Sequence, residues 1–482
     1  MKVRWYLSYG HQFLTREYMR LVAIYHKRKE RYCKLFKSTY LMDVYADLTK
    51  RYQDQPEFLQ SVEEVLSSID LLVDKDPRIQ QQAIVERIVE PERIIKFRVS
   101  WVDDSGNVQV NRAMRVQFNS AIGPYKGGIR FHHTVNESIM KFLAFEQTLK
   151  NSLTCLPMGG AKGGSDFDPR GKSDNEIMRF CQNYILELYR HIGPRMDVPA
   201  GDLGVGAREI GYMYGMYKRI ENEFSGTFTS KGIESGGSLG RAEATGYGLC
   251  YFVEEMLKTF KNETFKNKKV IISGAGKVGS MAAEKVIQLG GKVIAMSDIS
   301  GTIHDENGID LDLIKSLSMS NTVVMDKYQS YHPEAIYSKN TKDIWKVPCD
   351  IALPCATQNE IYLDSAEELV KNGCWLVAEG ANMPTTIEAT KYLKEHNVLF
   401  APGKAANAGG VAVSGLEMTQ NATFQNWSFE EVDAKLHQIM KRIFKSCHDA
   451  SLEFTGRPDD LVTGANIAGF VKVYKAMIQQ GV

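Results

Sequence analysis

A glycine motif in the second half of the chain constrains the fold more than any other feature. The apolar run Lys269–Ser273 leads directly into Gly-Ala-Gly-Lys-Val-Gly at 274–279, and helical spacing follows to Leu289. In such a unit the first glycine makes a tight turn, the second lets the backbone approach a pyrophosphate, and the third lets the helix pack on the strand. The helix N-terminus then offers free N–H groups to the phosphates. The motif therefore favours a dinucleotide site over a purely structural turn, with these phosphate-binding residues: Gly274, Gly276, Lys277, Val278 and Gly279.

The end of the next predicted strand, Lys292–Ser297, bears on which dinucleotide is bound. Asp298 stands where a carboxylate is expected to meet the adenosine ribose, and a carboxylate repels a 2′-phosphate. Asp298 alone therefore favours NAD. Ser297 can instead donate a hydrogen bond to a 2′-phosphate, so the two residues leave the choice between NAD and NADP open.

Alternating short strands and helices predict the architecture of the second half. Glycine density rises between Gly226 and Gly248, which indicates a domain junction and a hinge. Further strands are predicted at Asp350–Pro354 and Trp375–Ala378. Alternating βαβ units imply a parallel, doubly wound sheet. We therefore expect a Rossmann-type dinucleotide-binding domain over residues 237–446.

The first half predicts a separate α/β domain over residues 41–236. Apolar residues between Leu59 and Val73 recur at helical spacing, and alternation on either side of the turn at 103–106 predicts a hairpin. Ser173–Glu176 is a capping box that opens a helix expected to run to about Ile192. The chain ends in two helical stretches, Phe429–Ser451 and Ala465–Gln480.

A lysine-rich segment between Gly123 and Asp202 carries the strongest chemical signal. Lys126 and Lys162 are each followed by Gly-Gly, and Lys150 lies between them in Phe-Glu-Gln-Thr-Leu-Lys. Solvated lysines do not need glycine neighbours, whereas glycine lets the backbone come close to a ligand. Lysines that share a pocket depress each other's pKa, which suits one of them to act as a base and the others to bind carboxylates. The alternative is three unrelated surface lysines, with Asp202 as an N-cap or turn residue.

Composition excludes several classes of partner. The net charge is +1, so no global field points to nucleic acid or membrane, and no apolar stretch reaches the roughly 18 residues that a membrane span needs. The eight cysteines are scattered without a CxxC pair, which indicates reduced thiols rather than a zinc cluster. His132 and His133 are adjacent and would point apart on a strand, so we expect no metal site.

The first 40 residues form a basic extension with a KRKER run at Lys27–Arg31. They lack the apolar region of a signal peptide. The extension is expected to be a solvated tail or an upstream reading of the coding frame, and the chain to be cytoplasmic. The alternative is a mitochondrial or plastid targeting segment, although this stretch has little Ser and many Tyr.

These motifs resemble the hexameric glutamate dehydrogenases of the Glu/Leu/Phe/Val dehydrogenase superfamily. The resemblance covers the chain from about Leu41 to Val482, and its most specific stretches include GPYKGGIRFH, LPMGGAKGGSDFDP, DVPAGDLGVGAREIG and APGKAANAGGVAVSGLEM. It implies two domains around a deep cleft, with a C-terminal helix within 447–482 returning to the first domain, and a homohexamer. It also implies reversible conversion of L-glutamate into 2-oxoglutarate and ammonia, with hydride transfer to a nicotinamide dinucleotide.

The resemblance also implies roles for individual residues. Lys162 would be the catalytic lysine that assists water addition and loss at the α-carbon, and Asp202 would move protons to and from the amino group. Lys150 would pair with the α-carboxylate, and Lys126 and Ser414 would hold the side-chain carboxylate. Asn407 and the Ala200 carbonyl would line the amino-group side. The remaining substrate contacts are Gly127 and Gln147; the remaining cofactor contacts are Arg241, Thr245 and Asn382, in addition to the glycine motif, Ser297 and Asp298.

Two choices within the resemblance rest on particular residues. The run Ser297-Asp298-x-Ser-Gly301 looks like that of NADP-dependent members, and we follow it over the simple acid rule, with NAD as the alternative. In leucine- and phenylalanine-type relatives the position of Lys126 looks apolar. A buried lysine without a partner would cost several kcal/mol, so Lys126 favours glutamate. A non-catalytic binding protein would be expected to lack Lys162 or Asp202, and both are present.

Overall fold

The computed structural model describes residues 35–319 and 322–481. This part of the chain is a mixed α/β structure built on two large sheets, in agreement with the predicted fold class. Most of the basic extension, including the run at Lys27–Arg31, lies outside the described residues. The domain limits drawn at 41–236, 237–446 and 447–482 stay a prediction.

The elements of the first part are α1 Thr39–Arg51, α2 Pro56–Val73, α3 Arg78–Gln81, α4 Ile84–Ile88, β1 Arg93–Val102, β2 Val108–Asn119, β3 Tyr125–Phe131, α5 Glu137–Leu153, β4 Gly160–Ser165, α6 Asp174–Leu188, β5 Asp197–Gly201 and α7 Ala207–Glu221. Its sheet, the first of the two, has the strand order β1-β2-β4-β3-β5. The predicted hairpin is confirmed, because β1 and β2 pair antiparallel on either side of the turn, whereas β3 runs parallel to both β4 and β5.

Two apolar clusters pack against this sheet. One joins α2 and α5 to the sheet through Phe58, Phe118 and Phe145, and the other joins α6 through Phe131 and Phe180. The capping box that opens α6 is present: the Ser173 side chain accepts from the Glu176 backbone N–H, and the Glu176 side chain accepts from that of Ser173. The α-helix ends at Leu188 and tightens into a 3₁₀ turn at Tyr189–His191, so the predicted end near Ile192 lies slightly too far along.

The elements of the second part are α8 Ala244–Lys261, β6 Lys269–Ser273, α9 Lys277–Gln288, β7 Lys292–Asp298, β8 Gly301–His304, α10 Leu311–Ser316, β9 Ser318–Met319, β10 Thr322–Val323, β11 Ile336–Ser338, β12 Ile351–Pro354, α11 Leu363–Lys371, β13 Leu376–Ala378, α12 Ile387–Glu395, β14 Leu399–Ala401, α13 Gly403–Ala406, α14 Gly409–Thr423, α15 Phe429–Thr455 and α16 Leu461–Gln480. The second large sheet has the strand order β11-β8-β7-β6-β12-β13-β14. Short 3₁₀ turns lie at Ile233–Ser235, Met325–Ser330 and Thr341–Lys346.

The parallel doubly wound pattern is confirmed for the body of this sheet. β7, β6, β12, β13 and β14 run parallel, and the predicted strand Lys269–Ser273 has the bounds of β6. The edge differs from the expectation, because β8 and β11 run antiparallel to their neighbours. The sharp return from Asp298 to Gly301 explains this, since Gly301 adopts φ +138° and its position has no room for a side chain.

The C-terminal helices are longer than the periodicity indicated. α15 runs unbroken from Phe429 to Thr455, so the limit drawn at 446/447 falls inside a helix. α16 packs against the first part of the chain, where the Ser152 hydroxyl donates to the Gly469 carbonyl at 3.0 Å and the Asn466 side chain donates to Ser68 Oγ at 2.9 Å. None of the described helices is long and apolar enough to span a membrane.

Candidate active site

Three lysines from the lysine-rich segment approach the second part of the chain. Lys126 lies on β3 and Lys162 on β4, and both are almost completely buried. Lys150 lies in the last turn of α5. All three come from elements that pack on the first sheet, so the fold fixes their backbones independently of any ligand.

The glycines beside Lys126 let protein groups approach one another. A Cβ on Gly127 would lie 1.6 Å from the Ala161 carbonyl oxygen of the neighbouring strand. A Cβ on Gly128 would lie 2.8 Å from Asp202 Cβ and 3.2 Å from Lys162 Nζ. Glycine is therefore required here to bring β3 against β4 and against the Lys162–Asp202 pair. These glycines were expected to let the backbone approach a ligand, whereas the contacts show that they let parts of the protein approach one another.

Lys162 and Asp202 form an ion pair that Arg130 completes. Lys162 Nζ lies 3.1 Å from Asp202 Oδ1, and Arg130 Nε lies 2.8 Å from Asp202 Oδ2. Burial acts to raise the pKa of Asp202, but the two cations outweigh it and hold the pKa at about 2. Asp202 is therefore a carboxylate at neutral pH, with a positive group on each oxygen.

The pKa values of all three lysines are depressed. Burial lowers the pKa of Lys126 to about 7, with help from Arg241 and Arg115. Burial also lowers the pKa of Lys150 to about 8, and Lys162 adds to that effect. The pKa of Lys162 falls through burial although Asp202 acts in the opposite direction. A neighbouring lysine thus lowers the pKa of Lys150, whereas the cations named for Lys126 and Lys162 are arginines, so the expected mutual depression is found in one direction only.

Lys150 joins the two halves of the cleft. Its ammonium donates to Asn407 Oδ1 and, at 3.4 Å, to Asn382 Oδ1. Asn407 in turn donates to the Ala381 carbonyl at 2.9 Å and to Asn382 Oδ1 at 3.1 Å. The loop that follows β13 and the end of α13 are therefore tied together at the point where α5 meets them.

Two of the other expected substrate residues, Gln147 and Ala200, connect to the elements that carry these lysines. Gln147 donates to Asn151 Oδ1 at 2.7 Å, and Asn151 donates to the Lys126 carbonyl at 3.0 Å. Ala200 pairs with Gly128 across β5 and β3. Ser414 is buried on α14.

Arg241 was expected among the cofactor contacts, and in the structure it is close enough to Lys126 for its charge to act on that lysine. Its charge lowers the pKa of Lys126, and its own pKa is lowered by burial and raised by Glu417. The Nε of Arg241 is buried without a hydrogen-bond partner. A Cβ on Gly410 would lie 2.6 Å from Thr245 Oγ1 and 3.6 Å from Arg241 Nη1, so Thr245 shares this corner.

The glycine motif has the geometry that a pyrophosphate requires. Gly274 adopts φ +78°, and a Cβ there would lie 2.7 Å from Ala356 Cα. A Cβ on Gly279 would lie 1.8 Å from the Gly274 carbonyl oxygen, which is the close helix–strand contact expected of the third glycine. Gly276 faces open space at the N-terminus of α9, where backbone N–H groups are available to an anion. Lys277 is exposed beside it, and Val278 is half-buried.

The end of β7 is tied to a neighbouring turn. Ser297 is buried, and its carbonyl accepts from Ala275 N at 3.0 Å, while Asp298 Oδ1 accepts from Ile299 N at 2.7 Å. Met325 N donates to Ser300 Oγ at 3.1 Å and so attaches the 3₁₀ turn that carries the exposed Lys327. The fold thus places a basic residue on the turn next to the β7 end.

Sequence patterns gave no sign of a buried arginine–aspartate pair under the lysines. Arg115 Nε donates to Asp197 Oδ2 at 2.8 Å, and both side chains are fully buried. Arg115 also donates to the carbonyls of Gly127 and Gly128 at 3.1 Å each. This pair fixes the backbone of β3 between Lys126 and Asp202. Its only sequence signal is Arg115 alternating with apolar residues on β2, which is also typical of a solvated sheet face.

Among the described residues, one cluster of potential metal ligands lies away from the three lysines. Asp305, His332 and Glu334 hold ligand atoms within 4.8 Å of one another, and none belongs to the lysine-rich segment. The rings of His132 and His133 do not point apart as expected, because β3 ends at Phe131 and their centroids lie 4.1 Å from each other. The cysteines of the described part are free thiols.

A cavity of about 760 Å³ opens beside Lys150, Lys162 and Asn382. It is lined from the first half by α2 and α5 and from the second half by the loop after β13, α12 and Lys404. Clefts of this size between domains are typical of small-molecule sites. A Rossmann-type sheet facing a lysine-lined cleft defines a two-domain, dinucleotide-dependent oxidoreductase.

Comparison with known proteins places the chain within that class. A family model described as Glutamate/Leucine/Phenylalanine/Valine dehydrogenase matches residues 236–481, and one described as Glu/Leu/Phe/Val dehydrogenase, dimerisation domain, matches residues 91–219. The chain belongs to the Glu/Leu/Phe/Val dehydrogenase family.

Individual relatives match almost the whole chain. It is 55% identical over 438 residues to a glutamate dehydrogenase from Bacteroides thetaiotaomicron, covering 90% of this chain and 98% of that protein. It is 53% identical over 449 residues to an NADP-specific glutamate dehydrogenase from Helicobacter pylori, covering 92% and 100%. The crystal structure of glutamate dehydrogenase from Plasmodium falciparum superposes with a TM-score of 0.89 at 51% identity, covering 92% and 95%.

Proposed function

We propose that the chain is an NADP-dependent glutamate dehydrogenase that interconverts L-glutamate with 2-oxoglutarate and ammonia. The observation that carries the choice of substrate is Lys126, a buried lysine. Burial lowers its pKa, and the positive charges of Arg241 and Arg115 lower it further. A substrate carboxylate would neutralise this positive corner. A leucine- or phenylalanine-type substrate would leave only Glu417 and Asp197 to offset these cations, and a poorly compensated buried charge is costly. The names of the relatives support the same choice.

The substrate is held by charges at its two ends. Lys150 pairs with the α-carboxylate, while Lys126 and Ser414 bind the side-chain carboxylate with Arg241 as a further cation. Gly127 and Gln147 complete this contact surface, and the Asn407 side chain and Ala200 carbonyl line the amino-group side. Two fixed carboxylates orient the α-carbon, which converts a bimolecular step into an effectively intramolecular one.

Proton transfer falls to Lys162 and Asp202. Burial lowers the pKa of Lys162, so it gives up its proton more readily than a solvated lysine and assists the addition and loss of water at the α-carbon. Asp202 remains a carboxylate and exchanges protons with the amino group. Arg130 keeps Asp202 ionised and aimed at Lys162.

The dinucleotide fits the second half of the chain. Gly276, in open space at the start of α9, and the tight turn at Gly274 suit a pyrophosphate. Lys277, Val278 and Gly279 begin the helix beneath it, Ser297 and Asp298 lie at the ribose, and Thr245 and Asn382 hold the carboxamide. The bound dinucleotide supplies hydride transfer. NADP is the proposed form, supported by Ser297, Lys277 and Lys327, with NAD as the alternative because of Asp298.

Three further assignments belong to this proposal. The substrate-binding and assembly domain spans 41–236 with the helical region 447–482, and the dinucleotide domain spans 237–446. The enzyme is a homohexamer, assembled through the first domain. It is cytoplasmic; if residues 1–40 are a targeting segment, a mitochondrion or plastid is the alternative.

Steady-state kinetics test the proposal directly. The purified chain is assayed with 2-oxoglutarate and ammonia, using NADPH and NADH in parallel, and with 4-methyl-2-oxopentanoate as the competing apolar substrate. We expect turnover with 2-oxoglutarate and NADPH. A higher kcat/KM for the apolar oxo acid would contradict the assignment of Lys126.

A further inference from the structure

Two polar contacts connect α5 to α13, one between Glu146 and Lys404 and one between Lys150 and Asn407. Glu146 and Lys150 are four residues apart on α5, and residues at this spacing share one face of a helix. Lys404 lies on α13, and Asn407 is the C-cap of that helix. Glu146 lies 3.2 Å from Lys404 Nζ, and Lys150 donates to Asn407. Glu146 and Lys404 line the cavity but are not among the proposed substrate contacts, whereas Lys150 and Asn407 are.

Lys404 is the most heavily bonded residue of this short helix. Besides Glu146, its ammonium lies 2.9 Å from Glu64 Oε1 on α2 and 2.6 Å from Asn466 Oδ1 on α16. The side chain is 9% exposed. These contacts connect α13 to three helices that pack on the first sheet.

A helix of four residues depends on such contacts for its position. So short a segment is not stable by itself, because the cost of helix nucleation exceeds what one turn returns. At its start, Glu379 Oε2 accepts from Gly403 N at 2.7 Å, which ties it to the second sheet. The Lys404 contacts therefore help to hold α13 against α5 on the side of the first sheet, together with the contact between Lys150 and Asn407.

The contact between Glu146 and Lys404 also acts on the charge of Lys150. The charged groups that face Lys150 are Lys162, Glu146, Asp202 and Arg241, and Glu146 and Asp202 oppose the lowering of its pKa by burial. Burial raises the pKa of Glu146, and Lys404 acts against that rise. Lys404 thus favours the ionised form of Glu146, and an ionised Glu146 favours the protonated form of Lys150.

We propose that Glu146 and Lys404 are positioning residues that hold α13 in register with α5, so that Asn407 and Lys150 meet the substrate together. The inference rests on the proposed function. Glu146 and Lys404 touch none of the reacting atoms; they act through Lys150 and Asn407. The competing role is a purely structural one, in which the ion pair stabilises the fold but leaves substrate affinity unchanged.

Single variants separate these roles by comparing KM values. Glu146→Gln leaves Lys404 paired with Glu64, so it is the milder change, and Lys404→Gln removes the whole cluster. Both should raise the KM for 2-oxoglutarate by roughly ten- to a hundredfold, as expected for the loss of a charge-assisted contact. The KM for NADPH should stay within about twofold of that of the parent protein, because the glycine motif is untouched. Lys404→Arg should restore most of the affinity for 2-oxoglutarate.

A matched control comes from an ion pair away from the cavity. Lys268 Nζ lies 2.6 Å from Glu263 Oε2, and neither residue lines the cavity. Lys268→Gln should therefore leave the KM for 2-oxoglutarate unchanged. The pH dependence gives a second readout: in Glu146→Gln the alkaline fall of kcat/KM for 2-oxoglutarate should move to lower pH, since Lys150 loses a neighbouring negative charge.

The outcome decides between the roles. A folded Glu146→Gln protein with an unchanged KM for 2-oxoglutarate and an unchanged pH profile would overturn the inference, as would an equal rise in the KM for NADPH. The double variant, Glu146→Gln with Lys404→Gln, should be no worse than the worse single variant, because the residues act as one unit. If the parent protein does not turn over 2-oxoglutarate at all, the proposed function is overturned and this inference with it.

Discussion

Lys162 Nζ lies 3.1 Å from Asp202 Oδ1, in a pocket that Gly128 leaves just wide enough for the pair. Lys162 lies on β4, and Asp202 directly follows β5. Because Arg130 holds the other carboxylate oxygen, the ion pair is aligned before any substrate arrives. The proposed base and the proposed proton carrier, fixed in this way, would need little reorganisation during the reaction.

Removing either member of this pair should abolish most of the turnover. Lys162→Ala removes the proposed base, and Asp202→Asn removes the proposed proton carrier with little change in shape. General acid–base groups contribute about 10²- to 10⁴-fold, so kcat should fall by at least about a hundredfold. Binding of NADPH, followed by fluorescence titration, should persist. Near-normal kcat in either variant would show that the mechanism is wrong at that residue.

Lys126 should set the choice between glutamate and monocarboxylic amino acids. Lys126→Leu should reduce kcat/KM for glutamate by roughly ten- to over a hundredfold, the range for a charge-assisted contact of about 1.5–3 kcal/mol. Norvaline, which lacks the side-chain carboxylate, should lose far less. Equal losses for the two amino acids would contradict the assignment.

The same lysine should make substrate affinity depend on pH. Because its pKa lies near 7, Lys126 is protonated below that pH and progressively neutral above it. Only the protonated form attracts the side-chain carboxylate, so the KM for 2-oxoglutarate should rise between about pH 6 and 8. This part of the rise should be absent in Lys126→Leu.

Replacing Lys141 by an apolar residue should raise the free energy of unfolding. Lys141 is fully buried on α5 without a hydrogen-bond partner, and its ammonium lies 3.1 Å from the centroid of the Tyr52 ring. Burial lowers its pKa from 10.5 to about 8, so folding disfavours the proton that the unfolded chain binds. Lys141→Met should therefore raise the free energy of unfolding by about 1–3 kcal/mol.

The sign of the pH effect provides the check. The unfavourable term is fully present below about pH 8, and it fades as the pH rises towards the unfolded pKa. The advantage of Lys141→Met in urea unfolding should shrink accordingly between pH 8 and about 10.5. Lys50→Met, at an exposed position on α1, is the control and should change little at any pH. An advantage that grew with pH would contradict this account.

Local patterns predicted what local interactions determine. The strand Lys269–Ser273, the glycine turn after it and the capping box at Ser173 each depend on residues a few positions apart, and the structure contains all three. The Arg115–Asp197 pair spans 82 positions, and the contact between Lys404 and Glu146 spans 258. No periodicity encodes such contacts, because they form only when separate elements pack together. The antiparallel edge at β8 was missed for a different reason: it follows from the local return between Asp298 and Gly301, which the pattern of alternating strands and helices did not include.

Solution mass should reveal the assembly. A family model described as a dimerisation domain covers residues 91–219, and the hairpin of β1 and β2 leaves Val108 and Val110 exposed at its end. Apolar residues on an accessible strand favour contact with another chain. Light scattering at micromolar concentration should give six times the mass of the chain. A stable monomer under these conditions would refute the hexamer.

NADPH should be preferred over NADH, and the preference should depend on salt. Asp298 would repel a 2′-phosphate, but Ser297 can donate to it. Lys277 is the first residue of α9, and Lys327 lies on the 3₁₀ turn that is attached at Ser300, just beyond β7. Exposed charge pairs weaken as ionic strength rises, so the ratio of kcat/KM for NADPH to that for NADH should fall between low and moderate salt. Lys277→Gln and Lys327→Gln should each lower that ratio by raising the KM for NADPH while leaving that for NADH nearly unchanged. Lys339→Gln, at an exposed lysine beyond β11, is the control and should not change the ratio. A ratio that favours NADH in the parent protein would show that the carboxylate of Asp298 decides the cofactor.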